Sequence, residues 1–242
     1  MDYSLILYIM LFIVALLYSA VGHGGASGYL ALMGILGISQ SVSKPVALVL
    51  NCIVSLIAFI QFYRQGHFNA KLFGWLILAS IPLAFIGGRM QLNDVLYKQI
   101  LGVLLAVTAL RLLFEFKAST KEQNYSIPLL LIIGASIGFL SGLIGIGGGI
   151  LLSPLLLLLG WTNAKTTAGI SALFIFVNSI SGLTAQLSKG LTISPSMFGM
   201  IIIAAIGGLI GSYWGARYAN NKLIKSLLAV ALFIASLKLM LL

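Results

Sequence analysis

The sequence predicts an all-α polytopic membrane protein of two homologous, inverted repeats with glycine-broken helices, in eight long and two short membrane segments. Composition is the first observation behind this fold class. Of 242 residues, 60% are hydrophobic and 7% are charged, and the mean hydropathy is +1.13. Soluble domains carry about 25% charged residues. Because so few charges cannot cover a core with a water-facing surface, the solvent of this chain must be mostly lipid.

The second observation is the length of the apolar runs. A helix needs about 20 apolar residues to cross the hydrocarbon of a bilayer. Eight runs come near that length: 3–20, 45–63, 70–88, 95–114, 127–145, 166–187, 196–216 and 223–242. Two further runs, 25–37 and 149–160, hold only 12 or 13 residues and follow a glycine cluster. They are either re-entrant half-helices or short crossing helices.

The third observation is an internal repeat at a spacing of 123 to 127 residues. The aligned pairs are Gly22-His23-Gly24-Gly25-Ala26 with Gly145-Ile146-Gly147-Gly148-Gly149, Gly37 with Gly160, Gly66 with Gly190, and Leu96-Tyr97-Lys98 with Leu223-Ile224-Lys225. We assign residues 1–114 to the first repeat, 115–126 to a polar linker and 127–242 to the second repeat. Repeats of this size in a membrane protein favour a transporter.

The distribution of Lys and Arg favours ten crossings over eight, because basic residues collect on the cytoplasmic side of a membrane. Apart from Lys238, which lies inside the last apolar run, eight crossings divide these residues seven against six, whereas ten crossings divide them nine against four. The nine are Arg64, Lys71, Arg111, Lys117, Lys121, Lys165, Arg217, Lys222 and Lys225, and the four are Lys44, Arg89, Lys98 and Lys189. Five crossings per repeat invert the second copy, so we expect a multi-pass membrane protein with both termini outside.

Charged residues also limit the chemistry. Only four acidic residues occur, and none lies inside an apolar run. No carboxylate is therefore placed to relay protons or to bind sodium at mid-membrane, and we predict no catalytic residue, metal or cofactor. The net charge of +10 comes from basic residues that flank apolar runs singly or in pairs, which does not indicate nucleic acid as a partner. An interior without acidic residues favours a small anionic substrate. Membrane lipid is the other expected partner.

The two glycine clusters are the first candidate binding residues. Glycine lets the backbone turn and approach a ligand closely, and the amides that open the next short helix direct a positive dipole end into the break. The candidates are Gly24, Gly25 and Ser27 in the first cluster and Gly147, Gly148 and Gly149 in the second. The alternative is close helix packing alone, which four-residue spacing favours for Gly134, Gly138 and Gly142 and for Gly207, Gly211 and Gly215.

The second cluster resembles a known family. The segment Gly138-Phe139-Leu140-Ser141-Gly142-Leu143-Ile144-Gly145-Ile146-Gly147-Gly148-Gly149, followed by Pro154 and by Ala168-Gly169-Ile170-Ser171-Ala172, looks like the signature of the TauE/SafE sulfite exporters, also called toluene-sulfonate uptake permeases. The resemblance spans nearly the whole chain. It implies an inner-membrane permease of bacteria or archaea for sulfite, sulfonates, sulfoacetate or related anions. The first half departs from the signature at His23 and Ala26-Ser27, which leaves the particular anion open.

Polar side chains within the apolar runs are the second set of candidates. His23 could donate to an anion or titrate with a proton, or it could donate to a backbone carbonyl that the glycine break frees. The helices after the clusters carry Asn51 and Ser55 in the first half and Ser171 and Asn178 in the second. These side chains are predicted to orient substrate oxygens, and the alternative is hydrogen bonding between helices.

The leading hypothesis is a secondary transporter that alternately opens a central anion site to each face. An anion channel or a subunit of a transport complex would share every feature above. A rhomboid-like intramembrane serine protease is less favoured, although Gly25-Ala26-Ser27-Gly28 matches Gly-x-Ser-Gly, because a nucleophilic serine needs an oriented base and His67 lies in a predicted loop. Stripes of small residues could also join protomers, so a homo-oligomer stays open.

Overall fold

The computed structural model describes residues 5–20, 22–113, 125–190 and 197–218, with single positions at 233, 236, 237 and 240. Every regular element within these ranges is an α-helix. The helices are α1 (Leu5–Ala20), α2 (Ala26–Ile35), α3 (Gln40–Arg64), α4 (Ala70–Arg89), α5 (Asp94–Leu113), α6 (Ile127–Ile144), α7 (Gly149–Leu158), α8 (Ala164–Leu187) and α9 (Met197–Tyr218). For the described part of the chain, the prediction of an all-helical protein is confirmed.

Several of these helices have the dimensions of membrane spans. By length and composition, α3, α4, α6, α8 and α9 can cross a membrane. The two short apolar runs form α2 and α7, of 10 residues each. The predicted span 223–242 lies outside the described ranges apart from the four single positions. The count of eight long and two short segments therefore stays a prediction.

Matched glycines end or open helices in both halves. Gly25 and Gly148 precede α2 and α7 with φ angles of 94° and 77°, a left-handed conformation that only glycine adopts at low cost. Other glycines with positive φ recur at aligned places, as Gly22 and Gly145, Gly37 and Gly160, and Gly66 and Gly190. The two halves thus share these turns, although Gly147 also has a positive φ and its aligned partner Gly24 does not.

Helices α4, α6 and α8 run in the same direction and form what we call the second bundle. Three glycines of α6 meet the backbone of α4 in the same order along both helices, as Gly134 with Leu76, Gly138 with Ser80 and Gly142 with Ala84. Between α4 and α8, Ser181 Oγ donates to Ile81 O at 2.7 Å and Gln186 Nε2 donates to Gly88 O at 2.6 Å. Small residues allow this close approach of backbones.

Helices α1, α3 and α9 also run in one direction and form the first bundle. Three glycines of α9 meet the backbone of α1, as Gly207 with Phe12, Gly211 with Leu16 and Gly215 with Ala20. Toward α3, Gly208 lies against Val54, and Ala216 shares a buried cluster with Phe62. The prediction that both glycine stripes serve close packing is confirmed, and these contacts lie within one chain.

The bundles meet where α3 and α8 cross in opposite directions. Asn51 Nδ2 donates to Ser179 Oγ at 3.3 Å, and Leu48 lies against Gly182 toward one end of the pair. Phe62 and Ala168 share a buried cluster toward the other end. Each half contributes its fourth helix to the other bundle, since α4 packs on α6 and α8 while α9 packs on α1 and α3. Neither bundle is therefore made from one half of the sequence alone.

These directions fix the course of the chain through the short helices. Because α6 and α8 are parallel, the segment between them, which contains α7, must return the chain to the end of the bundle where α8 begins. The same holds for α2, which lies between the parallel helices α1 and α3. Ten membrane crossings stay a prediction, and this packing is the arrangement that ten crossings require.

The first test concerns the α4–α6 contact. A Cβ atom on Gly138 would lie 2.6 Å from the Cα of Ser80, whereas one on Gly74 in α4 would meet nothing within 4 Å. We expect Gly138→Ala to lower the melting temperature of the purified protein, because forcing atoms into a packed contact costs about 1–3 kcal/mol. Gly74→Ala should leave it unchanged or raise it, since alanine favours helix. Equal melting temperatures for both variants would contradict the close contact.

The second test concerns the number of crossings. In a chain carrying Cys52→Ser, single cysteines at Leu5 and Ser41 are labelled in intact cells with a membrane-impermeant maleimide. Ten crossings place both positions on the outer side, because α1 and α2 then cross in turn. Eight crossings place them on opposite sides. A cysteine at Gln65 serves as the control, since crossing by α3 separates it from Ser41 in either arrangement.

Candidate functional site

The two glycine breaks converge on one pair of residues, Asn51 of α3 and Ile175 of α8. A Cβ atom on Gly147 would lie 2.6 Å from Asn51 Nδ2 and 2.8 Å from Ile175 Cγ2. A Cβ atom on Gly24 would lie 3.0 Å from the same Cγ2 atom and would collide with Asn51 Oδ1. Both breaks are buried. The α3–α8 crossing thus holds both interruptions of the backbone against each other in the interior.

The repeat relates the members of this pair to each other. Gly66 and Gly190 end α3 and α8 with positive φ and are 124 residues apart. The same spacing relates Asn51 to Ile175 and Ser55 to Ser179. The centre is therefore asymmetric in its side chains, with an amide on one helix and a hydrocarbon on the other.

Asn51 connects the first break to the second bundle. Its Oδ1 accepts from the backbone N of Ala26 at 3.0 Å, and its Nδ2 reaches Ser179. Ser55 Oγ donates to the backbone O of Asn51 at 2.5 Å. An amide that is fully buried needs such partners, since burying it unpaired is costly. Asn51 thus supplies an acceptor to the first amide of α2.

The start of α7 differs from the start of α2. Neither Gly25 nor Gly148 has a side chain that could cap the helix that follows it. At α2 the side chain of Asn51 compensates, but at α7 the equivalent position is Ile175, which has no acceptor to offer. The amides that open a helix carry partial positive charge and attract anions. The amides that open α7 are therefore more available to attract an anion than those that open α2.

A second polar group joins the first break to α7 and α8. His23 Nε2 lies 3.1 Å from Ser153 Oγ, and Ser153 Oγ lies 2.7 Å from Ser171 Oγ. All three side chains are buried, and Ser153 also donates to Gly149 O at 2.9 Å. Ser153 was not among the residues predicted from the sequence. The only signal for it was a hydroxyl in the short run after a glycine cluster.

Of the remaining predicted residues, Ser27, Asn178 and Gly148 have other contacts, whereas Gly149 touches both groups through Ile175 and Ser153. Ser27 Oγ donates to Tyr18 OH at 3.0 Å and so faces α1. Asn178 Nδ2 donates to Phe174 O at 2.8 Å within its own helix, and its buried Oδ1 has no hydrogen-bond partner among the described residues. Gly148 and Gly149 pack on Phe174 and Ile175. Substrate contact by all these residues stays a prediction.

Lys44 was wrongly assigned to an aqueous flank. The predicted span began at residue 45, but α3 begins at Gln40, and Lys44 is buried with 5% of its surface exposed. Its Nζ donates to the backbone O of Leu143, at the end of α6, at 2.9 Å. This burial has no signal in the amino-acid pattern, because lysine beside an apolar run is typical of a membrane flank.

The contacts of the described residues also bear on a metal site and on a serine protease site. In the described part of the chain, no three residues among His, Cys, Asp and Glu lie together as metal ligands would. Ser27 pairs with Tyr18, whereas His23 contacts Ser153, so the serine of the protease-like motif has no imidazole beside it. His67 lies in the loop after α3, where desolvation and, to a smaller extent, Lys165 lower its pKa below the ordinary value.

Comparison with known proteins agrees with a transporter. The sequence model of the family described as Sulfite exporter TauE/SafE matches residues 7–239. A probable membrane transporter protein of Sinorhizobium fredii is 34% identical over 239 residues, covering 97% of each chain. A probable membrane transporter protein of Bacillus subtilis is 26% identical and covers 98% of this chain and 99% of its own. One of Methanocaldococcus jannaschii is 29% identical, with 76% and 72% covered. No solved structure is significantly similar to the chain.

The family match covers nearly the whole chain, and it includes both glycine breaks and the helices that hold them. The relatives named above are described as membrane transporters and extend over comparable lengths. The chain is therefore a member of the TauE/SafE sulfite exporter family of membrane transporters.

Proposed function

We propose that the protein is a secondary transporter that moves small sulfur-containing anions, such as sulfite, sulfonates or sulfoacetate, across the inner membrane by alternating access. The observation that carries this proposal is the convergence of both glycine breaks on Asn51 and Ile175. Glycine-broken helices that meet between two halves are typical of transporter binding sites. The family description supports sulfite as the first anion to test.

The electrostatics of the site favour an anion over a cation. The short helices α2 and α7 begin at the breaks, so the positive ends of their dipoles point there. Asp94 is the one acidic residue within the described ranges, and it lies exposed at the start of α5. No carboxylate in this part of the chain therefore opposes an anion at the centre. Backbone amides and hydroxyls can bind its oxygens without a buried carboxylate.

The two bundles are the bodies that would move in alternating access. Their contact along α3 and α8 includes the polar contact of Asn51 with Ser179, which must change if the bundles rock. The site lies at this contact, so opening one end of it admits the anion while the other end stays closed. In this mechanism the moving bodies are the bundles and not the two sequence halves, because α4 and α9 are exchanged.

An anion channel and a transport-complex subunit remain the alternatives. A channel conducts without saturation at low concentration, and unlabelled anion on the opposite side does not accelerate its flux of labelled anion. A complex subunit shows no flux when purified alone. Saturable exchange of labelled sulfite by the purified protein in proteoliposomes would support the transporter, and its absence for sulfite and for a small sulfonate would contradict the proposed substrate class.

Asn51→Asp tests the central site. The change keeps an acceptor for Ala26 N, and Ser179 can donate to the new carboxylate, so the fold should persist. It also places a negative charge between the glycine breaks. We expect sulfite exchange to fall at least about tenfold, because juxtaposed like charges cost several kcal/mol.

Asn163→Asp is the matched control for that measurement. Asn163 is exposed and caps α8 by accepting from Thr166 N at 3.0 Å, a role that aspartate fills equally well. Its exchange rate should equal that of the parent. Parent-like exchange by Asn51→Asp, at equal yield and equal elution volume, would place the anion elsewhere.

His23→Gln tests proton coupling. A glutamine amide can still donate toward Ser153, but it cannot titrate. If His23 carries the coupled proton, the variant keeps saturable sulfite exchange and loses accumulation driven by an imposed pH gradient. His67→Gln, in the loop after α3, is the control. A parent-like response of His23→Gln to the gradient would exclude His23 as the coupling group.

A further inference from the structure

Lys44 is a buried cation that neither the fold nor the proposed central site explains. It lies in the first turns of α3, and its ammonium bonds to the carbonyl of Leu143 and not to a carboxylate. Asp94, the one acidic residue that the structure describes, lies exposed at the start of α5. Taking an ammonium out of water costs several kcal/mol unless an opposite charge compensates it. A bound anion would supply this compensating charge.

The repeat provides an internal control for the packing role of this residue. The spacing of 124 residues relates Lys44 to Ala168. A Cβ atom on Gly145 would lie 2.9 Å from Lys44 Cγ, and one on Gly22 would lie 2.5 Å from Ala168 Cβ. Each residue thus fills the same place against the first glycine of a break. Because alanine suffices in one half, the ammonium in the other half is not needed for packing.

Polar groups and a cavity lie close to Lys44 along α3, although Lys44 itself does not line the cavity. Tyr97 OH donates to the backbone O of Ile144 at 3.0 Å, next to the carbonyl that Lys44 bonds. Tyr97 and Ser43, the chain neighbour of Lys44, both line a cavity of about 140 Å³ between α2, α3 and α5. Gln40, Lys98 and Asp94 also line it. This volume can hold a small anion with a few waters, since one water takes about 30 Å³.

We propose that Lys44 binds the transported anion at the mouth of the second glycine break and sets a preference for doubly over singly charged anions. The inference rests on the proposed function and adds an outer site to it. Lys44 lies seven residues before Asn51 on α3, about 10 Å along the helix, so the two sites are separate. The ammonium has two further N–H donors besides the one that bonds Leu143 O. Its attraction for a dianion is twice that for a monoanion at the same distance.

The competing explanation is that Lys44 only caps the end of α6, as basic side chains near a helix C-terminus do. Lys44→Gln separates the two roles, because a glutamine amide can still donate to Leu143 O but carries no charge. Lys44→Arg keeps the charge. Lys71→Gln, at the exposed start of α4, removes a lysine outside the site and serves as the control.

The experiment measures the exchange of labelled sulfite in proteoliposomes, with unlabelled thiosulfate as the dianion and methanesulfonate as the monoanion in competition. For Lys44→Gln we expect the half-inhibiting concentration of thiosulfate to rise at least about tenfold and that of methanesulfonate distinctly less. Lys44→Arg and Lys71→Gln should stay within about threefold of the parent.

Each outcome decides between the explanations. Parent-like values for Lys44→Gln with both competitors would overturn the outer site and leave the proposed function intact. An equal loss for both competitors, together with a lower melting temperature, would assign Lys44 to the helix end alone. Absence of sulfite and sulfonate exchange by the parent protein would overturn the proposed function and, with it, this inference.

Discussion

A helix break in a membrane protein frees backbone N–H and C=O groups that lipid cannot satisfy, and this chain has two such breaks in its buried interior. The crossing of α3 and α8 meets that constraint, because it places Asn51 and Ile175 against both breaks and helps to bury them. The rest of the fold supports this crossing. The glycine stripes of α6 and α9 bring α4 and α1 into backbone contact, so that each bundle is tight enough to shield its break.

The two halves have matching helices but carry different polar side chains at aligned positions. The first half supplies the amide and the ionisable groups, namely Asn51, His23 and Lys44. The second half has Ile175, Ile146 and Ala168 at the aligned places. Its contribution is the hydroxyls that meet the first two groups, Ser179 for Asn51 and Ser153 for His23. A polar side chain from one half thus finds its partner on a helix of the other, which joins the bundles at the site.

The sequence predicted what depends on local pattern. Apolar runs gave most helices to within a few residues, and four aligned pairs of glycines share a positive φ, because chain length and backbone freedom decide these features. Which helices become neighbours depends instead on how side chains that are far apart in the sequence fit together. Hydropathy therefore does not predict that α4 packs on α6 and α8 while α9 packs on α1 and α3. Lys44 and Ser153 were missed for a related reason. A lysine beside an apolar run and a single serine within one carry no signal until their neighbours are known.

The asymmetry of the site bears on the proposed cycle. In a transporter of two inverted repeats, the state open to one side turns into the state open to the other when the halves exchange conformations. Identical halves would give these two states equal energies. Here Asn51 faces Ile175, and Lys44 stands where the other half has Ala168, so the proposed exchange would carry an amide and a cation into surroundings that differ. A difference of a few kcal/mol leaves the minor state only slightly populated. An anion that binds the minor state more tightly offsets that difference, which couples the movement of the bundles to the presence of substrate.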